Sequence, residues 1–197
     1  EIKEGKVTAI IIEHLRERVV RNNDAFKWTA PIHETLVEQR PTSKKDFTEC
    51  DVLHLAEHSD RVASLNRNIK NLEYSIYTAK GSDPRPIYYL AKAYYDLRTK
   101  ENDERAKKLI YIYLRGPNRS GWPEERAQAC EYLAEIYKRN GDANNAIIEL
   151  MNGLIESESP QSFLSIASTY MTKGEWERAL YWANIAMKVP EKKTTLV

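Results

Sequence analysis

The sequence contains very little cysteine, and its two cysteines are far apart. Cys50 and Cys130 are the only ones among 197 residues, which excludes the disulfide framework of a small secreted protein. Their separation also excludes the short cysteine spacings of zinc and redox motifs. We therefore expect two unpaired, inert thiols and a cytoplasmic protein, because the cytoplasm is reducing.

An excess of charge of one sign is also missing, as are long apolar runs. Lys and Arg number 30 and Asp and Glu 29, which leaves a net charge of +1, so no overall field attracts nucleic acid or an anionic membrane. No stretch approaches the ~20 apolar residues of a membrane span, and the N-terminus lacks the layout of a secretory signal. We expect no nucleic-acid partner and no membrane span.

Common catalytic motifs are absent as well. The sequence has no Ser-His-Asp order, Gly-rich phosphate loop, Walker motif or Cys-x-x-Cys pair. It begins with Glu1 rather than Met, and an apolar segment starts at Val7. These two features lead us to expect a piece of a longer polypeptide.

The C-terminal half contains an internal repeat with a period of 33 residues. Five positions recur in register: Leu133, Ala134, Tyr137, Gly141 and Ala146 reappear as Ile166, Ala167, Tyr170, Gly174 and Ala179. Paired helices with small residues at their crossing, a Gly at the turn and a period of about 34 residues are the signature of a tetratricopeptide (TPR) solenoid. The predicted fold is mainly α, a TPR-type solenoid of helical hairpins preceded by a small α+β segment.

A less regular unit precedes these two repeats. Ala91 and Tyr94 match the Ala and Tyr of the first helix, and Ala106 matches the small residue of the second. Tyr94 and Ala106 are 12 positions apart, whereas the later units have a spacing of 9. We therefore expect three extra residues to lengthen the turn between residues 98 and 103.

One more helix is predicted before the repeats. Apolar residues at steps of three and four over residues 62–76 form one stripe of an amphipathic helix that ends near Gly81. Because a repeat buries its apolar face only against a neighbour, this helix is expected to cap the first unit. The periodicity places the other helices at residues 85–98, 102–115, 123–140, 143–156, 160–173 and 176–188.

The first sixty residues have a different pattern. Short alternation of apolar and polar residues predicts strands at 17–21 and 50–55. We therefore divide the chain into a strand-containing segment, 1–60, and a helical part, 61–197, with the capping helix and three hairpins.

The usual register of the repeat predicts which residues line the groove of the solenoid. Their charges are mixed, and they lack the grouped basic and amide residues with which a carboxylate-clamp module binds a peptide terminus. A protein partner in this groove is one expectation, and a core role for its tyrosines is the other. The predicted groove residues are Tyr88, Lys92, Tyr95, Asp96, Glu131, Glu135, Lys138, Arg139, Leu164, Ser168, Met171 and Thr172.

All four histidines lie in the N-terminal segment. His54 and His58 have a spacing of four, which would suit a metal site on a helix, but the pattern around His54 predicts a strand. A metal-dependent hydrolase that uses His14, His33, His54 and His58 is therefore the weakest of the hypotheses, since no clustered ligand motif supports it.

The order of several short motifs resembles the C-terminal part of family 2 glycosyltransferases with a TPR tail. A strand ending in Arg-Asn, an aromatic stretch leading to Ile-His-Glu, a strand ending in His, and a helix with Arg-Asn-Ile follow one another before the repeats. The motifs are Arg18-Val19-Val20-Arg21-Asn22, residues 26–36, Asp51-Val52-Leu53-His54-Leu55, Asn66-Arg67-Asn68-Ile69 and Gly121-Trp122-Pro123-Glu124-Glu125.

The resemblance implies inverting transfer of a sugar from a nucleotide-sugar donor to a glycan or peptide acceptor. Residues 1–60 would be the edge of a GT-A-like domain. Glu34 would be the catalytic base, with His33 beside it to orient a phosphate or the acceptor. His54 would be a ligand of a divalent cation, Mn²⁺ or Mg²⁺, and Trp28 and Phe26 would stack on a sugar ring.

The same residues also suit purely structural roles. Glu34 fits the start of a helix equally well, where the dipole favours a carboxylate, and Trp28 and Phe26 fit packing in a core. No Asp-x-Asp motif occurs, and no nucleotide-binding layer fits before residue 18. The remaining hypotheses are the C-terminal portion of an enzyme, a relic without activity, and a non-catalytic TPR scaffold or oligomerisation module.

Overall fold

The computed structural model describes residues 2–3, 6–7, 24–30, 32, 35–41, 43, 60–79, 83–116 and 121–190. The chain divides into two compact units, Glu1–Leu55 and Ala56–Val197. Strands are described in the first unit and helices in the second. The domain organisation expected from the sequence, with its boundary between residues 60 and 61, stays a prediction.

The first unit contains two short antiparallel pairs of strands. Strands β1 (Ile2–Lys3) and β2 (Lys6–Val7) form one pair, and β3 (Phe26–Thr29) and β4 (Thr35–Glu38) form the other. Arg40 and Asp24 join the ends of the second pair through an ion pair of 2.8 Å. The strands predicted at residues 17–21 and 50–55 lie outside the described residues.

The second unit contains seven helices within the described ranges. Six of them begin and end within two residues of the predicted bounds, which confirms the periodicity. The helices are α1 (Arg61–Ala79), α2 (Arg85–Leu97), α3 (Lys100–Arg115), α4 (Pro123–Arg139), α5 (Ala143–Glu156), α6 (Pro160–Thr172) and α7 (Trp176–Ala186).

Proline and glycine mark the ends of the first helix in each hairpin. A proline lies in the first turn of α2, α4 and α6, where its missing N–H is not needed. Gly141 and Gly174 follow α4 and α6 with φ of 77° and 74°, a left-handed conformation that glycine adopts without strain. In the first hairpin Arg98 takes this conformation, with φ of 54°.

The extra residues of the first hairpin lengthen a helix and not the turn, so that prediction is wrong. Helix α3 begins at Lys100, and only Arg98 and Thr99 separate it from α2. Thr99 stabilises this early start because its side chain accepts a hydrogen bond from the Asn102 amide at 3.2 Å. Glu101 and Asp103 in the first turn complement the helix dipole.

Alanine lies wherever the two helices of a hairpin cross. Ala106, Ala134 and Ala146 have no solvent exposure, and Ala91, Ala167 and Ala179 are also buried. Around the second crossing, one apolar cluster joins two hairpins and consists of Ala134, Ala146, Ile147, Leu150, Ile166, Tyr170 and Ala179. The core is therefore continuous from one hairpin to the next.

Helix α1 packs against α2 at the start of the array. Ile69 and Leu72, from its predicted apolar stripe, are buried. Tyr94 of α2 donates a hydrogen bond to Glu73 of α1 at 2.9 Å. Helix α1 therefore buries part of its apolar stripe against the first hairpin.

The crossing alanines generate a first prediction. Ala146→Leu should lower the free energy of unfolding by about 1–3 kcal/mol, because the larger side chain overpacks the contact between α4 and α5. Chemical denaturation followed by circular dichroism measures the change. Lys108→Leu, at an exposed position of α3, is the matched control; an equal loss in both variants would contradict the close crossing.

Candidate functional site

The predicted groove lies along the first helices of the three hairpins. Lys92, Glu135 and Ser168 each follow a crossing alanine, on α2, α4 and α6, and all are at least partly exposed. We call the surface formed by Lys92, Asp96, Glu135, Lys138, Ser168 and Thr172 the groove face.

Two tyrosines predicted for the groove pack between helices instead. Tyr88 is only 3% exposed, and its hydroxyl donates to Gln128 Oε1 on α4 at 2.5 Å. The ring of Tyr95 stacks on Tyr132 of α4 with centroids 4.6 Å apart. These positions face the next hairpin rather than a ligand, so the alternative of a core role is correct for Tyr88.

Glu131 is also held by the next hairpin. It accepts a hydrogen bond from the hydroxyl of Ser162, on α6, at 2.8 Å. This stripe of the first helix therefore belongs to the contact between repeats, which makes the groove face narrower than the sequence predicts.

The lysines of the groove face are paired within their own helices, and Asp96 also lies 3.6 Å from Arg61 of α1. Lys92 Nζ lies 2.8 Å from Asp96 Oδ2 on α2, and Lys138 pairs with Glu135 on α4. Such pairs at a spacing of three or four residues contribute only about 0.3–0.5 kcal/mol each. An incoming charged group can therefore replace either partner at little cost.

Arg139, Tyr95 and Tyr132 stack on one another beside the groove face. The guanidinium of Arg139 lies 4.6 Å from the centroid of the Tyr95 ring, on a tyrosine that already stacks on Tyr132. Arg139 also binds Asp103 Oδ1 of α3 at 2.7 Å. Burial raises the pKa of Asp103 while Arg139 opposes that shift, so this pair is partly removed from water. The ion pair holds the Arg139 side chain over the Tyr95 ring.

Two other charged pairs involve α4: one lies within its own hairpin and one joins it to the first hairpin. Arg126 of α4 is 4% exposed, binds Glu156 of α5 at 3.1 Å and donates to the carbonyl oxygen of Leu114 at 2.8 Å. Arg85 of α2 binds Glu125 of α4 at 3.0 Å. Among the described residues, every buried side-chain nitrogen and oxygen has a hydrogen-bond partner, so these charges are structural.

A cleft of about 340 Å³ lies between α3, α4 and α5. Its polar groups bind one another: Glu149 accepts hydrogen bonds from Tyr111 at 3.0 Å and Asn152 at 3.1 Å. We interpret this cleft as part of the interface between hairpins. Its lining consists of Tyr111, Leu114, Arg115, Arg126, Cys130, Glu149, Asn152, Ile155 and Glu156.

Two of the five predicted site residues are described. Phe26 and Trp28 lie two residues apart on β3, and Trp28 is 61% exposed, which contradicts the alternative of core packing for this tryptophan. His33, Glu34 and His54 lie outside the described residues. Their roles, and that of a divalent cation, stay predictions; within the described ranges no three His, Cys, Asp or Glu side chains are placed to hold a metal.

Comparison with known proteins identifies the fold. No protein-family model matches the chain, and no curated protein matches it. A solved structure named "MamA MSR-1 C2" is similar at a TM-score of 0.50 and 18% identity, over 65% of this chain and 68% of that one. A second, "Crystal structure of MamA", gives a TM-score of 0.47 and 19% identity over 63% and 67%. MamA is a TPR-type protein, and the helical unit is a TPR-like solenoid.

These findings correct the resemblance to glycosyltransferases. The structural likeness is to a TPR-type protein, and nothing in the comparisons supports a sugar-transferring enzyme. The predicted membership in family 2 glycosyltransferases is wrong, and the nucleotide-sugar donor and the glycan or peptide acceptor have no support. The motifs behind it are short, and each is weak by itself.

Sequence reasoning missed the charged links that α4 makes, one within its own hairpin and one to the first hairpin. Glu125 and Arg126 lie beside Ala127 on the buried side of α4, and charged residues in such a position signal a buried pair. Their partners, 30 and 40 residues away, follow no helical period, so only the packed structure identifies them.

No described helix is long and apolar enough to span a lipid bilayer.

The buried pair of Arg126 and Glu156 generates a second prediction. Arg126→Met should lower the free energy of unfolding by about 3–5 kcal/mol, because it leaves a carboxylate without its partner in a protected site. Adding Glu156→Leu should recover part of that loss. Arg105→Ala removes a surface pair with Glu101 and should cost less than about 1 kcal/mol; similar losses for the two arginines, measured by urea denaturation, would contradict the structural role.

Cys130 generates a third prediction. The thiol is 2% exposed, and burial raises its pKa to about 12, so little of the reactive thiolate exists near neutral pH. In a Cys50→Ser variant, which isolates Cys130, we expect almost no reaction with a colorimetric disulfide reagent until a denaturant is added. Rapid labelling of the native protein would show that the site is open to solvent.

Proposed function

We propose that the helical unit is a non-catalytic scaffold that binds a partner protein on the groove face. One observation carries the proposal: each lysine of this face has only a partly exposed pair within its own helix, whereas the pair of Arg126 and Glu156 inside the second hairpin is buried. The fold, a TPR-like solenoid, supports a role in protein interaction. A cytoplasmic location remains part of this proposal.

The strength of the pairs determines which surface is available. Lys92 and Lys138 lose about 0.3–0.5 kcal/mol each when they exchange an intrahelical carboxylate for one on a partner. Breaking the pair of Arg126 and Glu156 costs about 3–5 kcal/mol. A ligand therefore gains little from the cleft between α3 and α5, and the groove face is the favoured surface.

The chemistry of the face defines the partner. Helices α2 and α4 each place one basic and one acidic side chain on the face, and the hydroxyls of Ser168 and Thr172 follow on α6. A polypeptide with charges of both signs and a polar segment complements this order. We expect its association to be faster at low ionic strength, because complementary charges steer the encounter.

The fourth prediction tests this surface directly. A photo-reactive amino acid at Ser168 should give a defined set of crosslinked proteins in the source cells, identified by mass spectrometry. The same group at Lys108, on another exposed surface, is the matched control and should not give these adducts. Lys92→Glu together with Lys138→Glu should reduce the adducts about tenfold, a loss of about 1.4 kcal/mol in binding.

Two outcomes would contradict the proposal. One is the same set of adducts from both positions, which would indicate chance collisions. The other is adducts from Ser168 that do not change when both lysines are reversed, since the charges would then have no part in binding. The lysine variants should keep the native fold and lose only about 1–2 kcal/mol of unfolding free energy, because each reversal replaces a weak attraction within a helix by a repulsion of similar size.

A further inference from the structure

The last hairpin exposes large apolar side chains on both of its helices. Leu164 and Met171 of α6 are 50% and 52% exposed, and Trp176 and Leu180 of α7, with Met187 directly after it, are 62–78% exposed. We call these five residues the end face. Concentrated apolar surface of this kind marks an interaction site.

The repeat explains why these positions are apolar. Counted from the crossing alanine, Leu180 is equivalent to Ile147 of α5, which packs against Ile166 and Tyr170 of the next hairpin. Met187 is equivalent to Leu154, which packs against the same cluster. In the described part of the chain no helix follows α7, so the side chains that a next hairpin would cover lie in solvent.

The same register applies to the other residues of the end face. Trp176 is equivalent to Asp103, which binds Arg139 of the next hairpin. Leu164 and Met171 are equivalent to Tyr88 and Tyr95, which contact α4. All five positions are thus ones that an interior hairpin uses to contact its neighbour.

We infer that the end face binds the end face of a second copy of this chain, related by a two-fold axis. In such a pair α7 lies antiparallel to α7 of the partner. Trp176 and Met187 are placed symmetrically about the middle of α7, and so are Leu180 and Ala183. When the two copies of α7 run in opposite directions, Leu180 of each copy lies opposite Ala183 of the other. A large side chain then meets a small one, as close packing of two helices requires.

Helix α6 has the same symmetry at the same level. Leu164 and Met171 are placed symmetrically about Ala167 and Ser168. To within one residue, this midpoint of α6 and the midpoint of α7 are equally far from the turn at Gly174. One two-fold axis across the hairpin therefore brings both apolar stripes onto their own copies.

The charges at the two ends of α7 complement this arrangement. Glu177 lies in the first turn of α7 and Lys188 follows its end, whereas Glu175 is already paired with Lys173 and Arg178. Antiparallel pairing brings Lys188 of each copy near Glu177 of the other, whereas parallel pairing would bring Lys188 beside Lys188 and Glu177 beside Glu177. The end face includes none of the charged residues of the groove face, but Ser168 lies between Leu164 and Met171 on α6. Adducts of Ser168 with a second copy of the chain therefore belong to this inference, and adducts with another protein belong to the proposed function.

Sedimentation velocity of the full chain over a wide range of concentration tests the inference. We expect a reversible dimer, with Leu180→Glu raising the dissociation constant about tenfold or more, which is about 1.4 kcal/mol or more. Ile148→Glu, at an exposed isoleucine of α5 outside the end face, is the matched control and should leave the constant unchanged. Because Leu180 is exposed in the monomer, its variant should keep the native thermal stability.

Charge reversal tests the antiparallel direction. Lys188→Glu alone should weaken the dimer, and combining it with Glu177→Lys should restore it, since opposite charges then meet again at both ends. A monomer at every concentration would overturn the inference and leave the end face to a different partner. A dimer that resists Leu180→Glu, or a double variant as weak as the single one, would overturn it as well.

Discussion

The close crossing of two helices at alanine is the constraint on which this structure depends. Ala134 and Ala146 bring α4 and α5 together without exposure to solvent, and any larger side chain would separate them. Because the crossing recurs in all three hairpins, each hairpin presents nearly the same faces to its neighbours. The apolar cluster around Ala134 and Ala146 includes residues of the next hairpin, so no hairpin completes its core alone.

The two junctions between hairpins use different chemistry on this common frame. Charged and tyrosine side chains join the first hairpin to the second: Asp103 binds Arg139 and Arg85 binds Glu125. The second joins the third mainly through aliphatic residues such as Ile147. The added turn of α3 surrounds Asp103, whose counterparts in α5 and α7 begin their helices. Distinct junctions of this kind fix the order in which similar hairpins stack.

The sequence predicts the part of the molecule that follows a period. The six helices of the hairpins agree within two residues because apolar spacing, proline at helix starts and glycine at helix ends all indicate the same bounds. Contacts between hairpins follow no period, so the packed position of Tyr88 and the pair of Arg85 and Glu125 could not be predicted. The resemblance to glycosyltransferases is wrong for a related reason: its motifs are short and do not recur along the chain, so no period tests them.

A solenoid separates the surfaces that it uses along its length from those at its ends. The groove face runs across the first helices of the hairpins, whereas the end face lies on the exposed side of the third hairpin. A two-fold pair at the end face leaves the charged residues of both groove faces, on α2 and α4, uncovered and fixes the distance between them. A partner with two matching segments would then bind with an avidity roughly 10²–10⁴ times that of one segment. Weak exposed ion pairs suffice for such a scaffold, because its affinity comes from geometry rather than from any single contact.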